Sequence, residues 1–303
     1  MQKPLFSILI TTKNRIEGLQ FTLQKINNLL KREDVECIVF DDGSTDKTSE
    51  FVLKNYPKIK LYRNEKSKGL IFCRNKMLGI TQAKFAISLD DDAHFVSENP
   101  LEEIEKAFTT NPNCGVLAFR IFWSKQPPLA THTNQQQKRV QGFVGCGHAW
   151  RLESWKKIPN YPEWFVFYGE EEFAAYELFK KDIEIQYAPQ ILIQHRVEVA
   201  TRKHQPDYTI RLRRSLRAGW FLYFMFFPWQ SIPKKILYSM YMQIKIKVVK
   251  GDYKAALALG LAIIDVFIYF PKLMRNSNRF SSVEMNKFLS LPETPIYWKP
   301  QNE

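Results

Sequence analysis

The first ninety or so residues alternate short apolar runs with apolar stripes at helical spacing. Phe6–Ile10 is an apolar run ended by Thr11, Thr12 and Asn14, the pattern of a buried strand that feeds a polar loop. Leu19, Leu23, Ile26 and Leu30 then recur at helical intervals and predict one amphipathic stripe. Val35–Phe40 is a second apolar run, stopped by Asp41-Asp42-Gly43-Ser44; Thr45 and Asp46 offer capping oxygens to a helix carrying Phe51, Val52 and Tyr56. Ile59–Tyr62 predicts a third strand, Leu70–Ala83 a helix, and Phe85–Leu89 a strand ending at Asp90-Asp91-Asp92. Strands separated by helices imply a parallel sheet with crossover connections. Ligands of such sheets gather at the carboxyl ends of the strands, where the Thr11/Thr12, Asp41/Asp42 and Asp90–Asp92 clusters all fall.

From about residue 115 to 200 the order is less regular. Gly115–Phe122 and Val140–Trp150 read as strands, and Ser124–Arg139, with Pro127-Pro128 and a Gln run, as a loop. Glu170–Lys180 reads as a helix with acids in its first turn; Ile183–Tyr187 and Ile191–Gln194 read as two short strands around Pro189. Beyond residue 206 the character changes. Arg211, Arg213, Arg214 and Arg217 precede Ala218–Pro233, sixteen uncharged residues with seven aromatics. Ile236–Lys250 mixes Tyr, Met and Ile with Lys245, Lys247 and Lys250, and Ala255–Pro271 is apolar except for Asp265. Pro228 and Pro233 break the first apolar stretch and Asp265 interrupts the second, so neither is expected to make a clean span of about 20 residues. The expected division is an α/β unit over residues 1–205 and a helical region over 206–303.

Composition narrows this picture. The chain has 303 residues, 45% hydrophobic and 25% charged, which excludes disorder, collagen and coiled coil as global descriptions. The net charge of +13 is uneven: residues 1–200 carry 27 Lys+Arg against 25 Asp+Glu, and residues 201–303 carry 17 against 6. A +11 tail points to an anionic partner, nucleic acid or a membrane surface. Long uncharged aromatic runs between the basic groups, and no visible recognition module, argue against nucleic acid. They favour amphipathic helices lying among anionic headgroups; a helical bundle packing its own aromatics is the bland alternative. Cys37, Cys73, Cys114 and Cys146 form no C-x-x-C pair and read as buried, reduced thiols of a cytosolic protein. The opening MQKPLFSILITTKNR is interrupted by Ser7 and Thr11 and reads as a strand rather than a signal peptide.

Three adjacent carboxylates repel one another unless a cation joins them. Asp90-Asp91-Asp92 therefore reads as a site for Mn²⁺ or Mg²⁺, which commonly take one or two carboxylates plus substrate phosphates; a solvated acidic turn is the alternative. Asp41 and Asp42 can accept from a base N–H or a ribose hydroxyl, or simply cap a turn. Taken together, FSILITTKNR, IVFDDGSTD and KGLIFCRNKMLGITQAKFAISLDDD resemble, in order and spacing over about residues 4–200, the nucleotide-sugar-binding half of family 2 inverting glycosyltransferases. The resemblance implies an α/β GT-A nucleotide-diphospho-sugar transferase fold with a Rossmann-like mixed sheet. The basic, aromatic C-terminal helices would follow it as a membrane-associating region. It implies nucleoside contacts from Thr11, Thr12, Asn14 and Arg15 and from Asp42 with Asp41 beside it. Arg74 and Asn75 would lie near the diphosphate, with Cys73 where the family has Ala. Asp91 would lie near the ribose, and Asp92, with Asp90, at the metal.

The same resemblance places a catalytic base in Gly169-Glu170-Glu171-Glu172, by position Glu171, with Glu170 and Glu172 as competitors. Three acids favoured by a helix N-terminus are the alternative. The sequence departs from the family here, with Glu for the usual Asp and Glu177 where Arg is frequent. His195 resembles a His that some members place near metal and diphosphate. The Q-x-x-R-W element of processive synthases does not follow Glu171, so single-sugar transfer is expected. The implied donor is a UDP-, dTDP- or GDP-sugar and the acceptor a glycan or lipid-linked hydroxyl of the cell envelope. The implied location is cytoplasmic, peripheral on the cytoplasmic face of the plasma (inner) membrane. The rival functions are a basic nucleic-acid- or membrane-binding protein without transferase activity, and a sugar-nucleotide nucleotidyltransferase. The latter is disfavoured because the first strand ends in Thr-Thr-Lys-Asn-Arg with no Gly-rich loop.

Overall fold

Four apolar runs of the N-terminal part become parallel strands: β1 (Phe6–Thr12), β2 (Val35–Asp41), β3 (Lys60–Arg63) and β4 (Phe85–Asp90). The computed structural model describes residues 3–197 and 205–300. The crossovers are α1 (Ile16–Lys25) with α2 (Asn27–Leu30), α3 (Thr48–Asn55) and α4 (Leu70–Ile80). The expected single helix through Leu30 is split at Ile26, whose ψ of 6° leaves helical geometry. The start of α3 differs in part from the expectation: its N-cap is Lys47, at φ 63° and with no side-chain cap, Thr45 donates to Asn14, and Asp46 accepts from the Thr48 amide at 3.2 Å.

The second half supplies β5 (Ala93–Phe95), α5 (Pro100–Thr110), β6 (Cys114–Trp123), β7 (Lys138–Arg139), β8 (Gly147–Arg151), α6 (Leu152–Trp155), α7 (Glu170–Lys180) and β9 (Glu184–His195). The strands form one mixed sheet in the order β3-β2-β1-β4-β8-β6-β9-β5, with β7 on β9. Two expectations change. The run Val140–Trp150 is a strand only from Gly147; the segment before it is a loop whose Phe143 turns into the core. Pro189 does not separate two strands. Phe119 faces Ala188 and Arg120 faces Leu192, so the residues between leave the ladder at a bulge, where the missing proline N–H costs nothing.

Beyond residue 205 lie α8 (Tyr208–Phe226), α9 (Ile232–Gln243), a π turn (Ile244–Val248), α10 (Tyr253–Arg275) and α11 (Ser282–Leu289). The expected boundary at 205/206 adjoins residues 198–204, and residues 1, 2 and 301–303 end the two expected regions; all of these lie outside the described residues. The C-terminal helices share a core with the α/β unit: Phe165 packs on Phe221, and Tyr176 of α7 meets Phe226, Phe280 and Phe288. Buried Glu177 accepts from Asn278 Nδ2 at 3.0 Å, which gives the departure from Arg at this position a structural reason.

Asp265 does not interrupt its helix. It is buried, accepts from Arg213 at 2.5 and 2.7 Å, and lies 3.5 Å from Arg217, so α10 runs unbroken for 23 residues. At a mean hydropathy of 1.8, α10 is long and apolar enough to cross a membrane by length and composition. One face, Ala255, Ala258, Leu259 and Ala262, is buried, while Leu257, Ile264, Phe267 and Ile268 on the other remain exposed.

Removing one partner from a buried ion pair strands the other charge in low dielectric, at a cost of about 3–5 kcal/mol. Asp265→Ala should therefore lower stability by about 3 kcal/mol, the low end because Arg213 retains solvent contact. The check is the urea midpoint of unfolding; an unchanged midpoint would mean that the α8–α10 contact does not rely on this triad.

Candidate active site

The carboxyl ends of β1, β2 and β4 open on a cleft of about 440 Å³. One rim of it is built by Asp42. This carboxylate accepts from Asn64 Nδ2 (2.7 Å), Ser67 Oγ (2.6 Å) and the amides of Lys68 (2.8 Å) and Gly69 (2.9 Å). Burial opposes the charge on Asp42, and these donors together outweigh it and hold the carboxyl below its usual range. Asp41 behaves differently. It is fully buried and spent on the Ser44 amide (2.7 Å) and the Ser49 hydroxyl, so it holds the turn and does not line the cleft. Asn14, at φ 52°, likewise ties two loops together, its side chain accepting from the Thr45 amide at 2.7 Å.

The aspartate triplet splits because β4 ends within it. Asp91 accepts from Thr12 Oγ1 at 2.8 Å and pairs with Arg15 at 3.1 Å. Burial pushes Asp91 up to about 7, against the pull of Arg15. Asp90 and Asp92 approach His195, and Asp92 also accepts from Arg15 through Oδ2 at 2.5 Å, so Arg15 bridges Asp91 and Asp92. The pairing of β5 with β9 puts Ala93 opposite His195, and this register delivers the imidazole to the triplet. His195 Nε2 lies 3.0 Å from Asp92 Oδ1 and 3.8 Å from Asp90 Oδ2. Burial opposes the charge on Asp92; His195 and Arg15 outweigh it and hold that carboxyl well below the usual range.

Asp90, Asp92 and His195 each offer a ligand atom, all within 4.8 Å of one another. Asp92 Oδ1 is buried with no hydrogen-bond donor, although His195 Nε2 approaches it. Two carboxylates and an imidazole gathered this closely, one carboxylate oxygen being orphaned, fit a divalent cation. The ring of Trp123 packs on His195 at 4.6 Å and fixes its plane.

Arg74 of α4 joins this edge to the start of α7. Its guanidinium is buried, 3.0 Å from Asp90, 2.8 Å from Glu170, 3.6 Å from Glu171 and 2.8 Å from the Gly145 carbonyl. Arg74 therefore contacts the triplet but does not line the cleft. Asn75 is turned away, exchanging hydrogen bonds with the backbone of Tyr161 at 2.9 and 3.1 Å. Gly169, at φ 86° and against Ala218, lets α7 start here. Glu170 is buried on Arg74, and burial with the neighbouring Glu171 pushes its carboxyl up. Glu171 keeps about a fifth of its side-chain exposure and faces a second cleft of about 240 Å³, as does exposed Glu172. A Cβ on Gly145 would collide with the Glu171 carboxylate, so that glycine reserves its position.

Of the residues expected from sequence, Thr11, Thr12, Arg15, Asp42, Asp90, Asp91, Asp92 and His195 line the first cleft and Glu171 and Glu172 the second. Sequence reasoning missed several others. Ser67 and Gly69 lie in a loop without a patterned signal. Val166, at φ 71° in a region that β-branched residues avoid, faces the cleft beside Phe167. Arg211 and Arg214 line it too, although their run of arginines reads as part of a basic tail. Past α11, Thr294 exchanges hydrogen bonds with Gly142 (2.9 and 2.7 Å) and walls the second cleft with Glu293 and Ile296.

Residues 7–173 match the family model described as glycosyl transferase family 2. No curated protein sequence matches the chain. Among solved structures, the mannosyltransferase PcManGT from Pyrobaculum calidifontis, in complex with GDP-Man and Mn²⁺, is 15% identical at a TM-score of 0.55, over 96% of this chain and 80% of that one. GalNAc-T7 with UDP, GalNAc and Mn²⁺ is 15% identical at a TM-score of 0.54, over 72% of this chain, which spans half of that protein's length. S. aureus TarS 1–349 in complex with UDP-GlcNAc is 17% identical at a TM-score of 0.52, over 73% of this chain and 67% of that one. At these identities the likeness is one of fold, and the fold is GT-A. With more than half of its length matched, the chain belongs to glycosyl transferase family 2.

Proposed function

We propose that the protein moves one sugar from a nucleoside diphosphate-sugar to an acceptor hydroxyl, with inversion at the anomeric carbon. The observation that carries this reading is the joining of two clefts through Arg74: Asp90, Asp92 and His195 on one side, Glu171 on the other. The complexes of the structural neighbours with UDP-GlcNAc and GDP-Man support a nucleotide-sugar donor, with UDP, dTDP and GDP as the nucleotides to test.

In this reading Thr11, Thr12, Arg15 and Asp42 receive the nucleoside, and Asp91, held by Thr12 and Arg15, borders the ribose. Asp90, Asp92 and His195 would hold Mn²⁺ or Mg²⁺, whose charge offsets that of a departing diphosphate. Glu171 accepts the proton of the acceptor hydroxyl as that oxygen attacks from the face opposite the leaving group. Glu170 is closed off by burial on Arg74. Glu172 shares the acceptor cleft and remains the competitor.

The acceptor belongs, in this proposal, to a lipid-linked or cell-envelope glycan. The protein then works from the cytoplasm, peripheral on the plasma membrane. Support comes from residues 232–275, where Leu237, Tyr241, Ile246, Leu257, Phe267 and Ile268 are exposed beside exposed Lys234, Lys245, Lys250 and Lys254. Apolar side chains interleaved with lysines suit an anionic headgroup layer.

Three outcomes follow. Donor turnover by a UDP-, GDP- and dTDP-sugar panel should require Mn²⁺ or Mg²⁺ and fall strongly in Asp92→Asn; metal-independent turnover with intact Asp92→Asn activity overturns the metal assignment. Glu171→Gln should lower kcat by roughly 10²–10⁴ while nucleotide affinity stays unchanged; wild-type turnover in that variant, with loss in Glu172→Gln, moves the base by one residue. In flotation, the protein should bind vesicles containing phosphatidylglycerol and leave them at high salt; equal recovery on neutral vesicles or at any salt removes the anionic-surface part of the proposal.

A further inference from the structure

The arginines of α8 do not share one role. Arg211 pairs with Asp207 at 2.5 Å, one turn back. Arg213 and Arg217 converge on buried Asp265 of α10, and Arg217 also donates to the Phe165 carbonyl at 2.7 Å. Arg214 is the exception. It is half-buried, and it has no carboxylate or hydrogen-bond partner among the described residues. It lines the first cleft, together with Asp42, the aspartate triplet and His195. Burial and the neighbouring Arg217, Arg211 and Arg213 lower its pKa, and only the smaller pull of Asp207, already paired with Arg211, opposes them. A cation held among cations and partly out of water is unfavourable until an anion meets it.

We infer that Arg214 binds the diphosphate of the nucleotide donor, so that α8, outside the family-matched residues 7–173, completes the donor site. The inference rests on the proposed transfer reaction and adds to it a group that would neutralise the leaving phosphates within the same cleft. Guanidinium suits this task, because its fixed fork of N–H donors matches phosphate oxygens. The diphosphate is assigned to the nucleotide rather than to a lipid diphosphate because Arg214 shares its cleft with Asp42 and the metal-ligand trio. The second cleft, beside Glu171, has neither Lys nor Arg in its lining. Arg214 also lies three residues from Arg217 and one from Arg213, so the ion triad that seats α8 on α10 also sets where Arg214 stands.

The test is titration calorimetry on the full chain with Mn²⁺, using UDP, GDP and dTDP, the matching phosphate-free nucleosides, and farnesyl diphosphate. The nucleoside diphosphate that binds wild type should lose roughly tenfold to a hundredfold in affinity in Arg214→Gln, the range for a hydrogen bond to a charged group. Nucleoside affinity should stay within about twofold, and Arg214→Lys should recover part of the loss, because the charge is kept. Unchanged diphosphate affinity in Arg214→Gln overturns the inference and leaves the transfer reaction standing. So does an equal loss for nucleoside and diphosphate, which marks a structural role. Arg214-dependent binding of farnesyl diphosphate in preference to every nucleotide reassigns the ligand and also overturns it. A wild-type protein that binds no nucleoside diphosphate removes the underlying function along with the inference.

Discussion

A buried guanidinium governs the geometry of this protein. Arg74 has lost nearly all contact with water, so it is tolerable only while carboxylates surround it. The ones it finds come from chain positions far apart: Asp90 at the end of a central strand, and Glu170 and Glu171 at the start of α7. The Gly145 carbonyl completes the set. A single cation thereby ties the sheet edge that carries Asp90 to the helix that carries Glu171, and so the first cleft to the second. The proposed transfer reaction depends on such spacing, since reacting groups must be held in near-attack geometry. Gly145 and Gly169 serve the same end, one leaving room for a carboxylate and the other for the chain to turn into α7.

The C-terminal helices are part of this arrangement rather than an appendage. Their aromatic side chains fill a core shared with α7, and their buried Asp265 gathers two arginines. What remains outside is the apolar far side of α10 and the lysine-bearing stretch before it. The expectation of a bundle packing its own aromatics is thus met on the inner faces of these helices, and the exposed apolar face of α10 is what the proposed membrane contact would use.

Much of the fold was legible because parallel βαβ units write themselves as apolar runs and helical stripes, and β1 to β4 fall where those runs are. The second half was harder. A proline normally ends a strand, yet a bulge lets β9 pass Pro189. The Val140–Trp150 run is apolar because Phe143 reaches the core from a loop, not because it is extended throughout. An aspartate in an apolar stretch reads as an interruption when its partners, Arg213 and Arg217, lie some fifty residues away. Within the site, the aspartate triplet and Asp42 carried chemistry recognisable from residue type and position. Asp41, Asn14 and Asn75 are of the same residue types and lie equally near, but their hydrogen bonds are spent on the scaffold. His195, singled out only by its resemblance to a family position, enters by strand register, and Arg214 enters by helix packing from what reads as a basic tail.

The tilted contact of Trp123 with His195 has a spectroscopic meaning. The indole touches a ring that belongs to the candidate metal trio; it also meets Tyr297 and donates to the carbonyl of Ile296, which walls the second cleft. A fluorophore so placed senses the electronic state of the imidazole on one side and the seating of the chain on the other. One of the chain's seven indoles thus reports from between the two clefts, its signal isolated as the emission difference between wild type and Trp123→Phe.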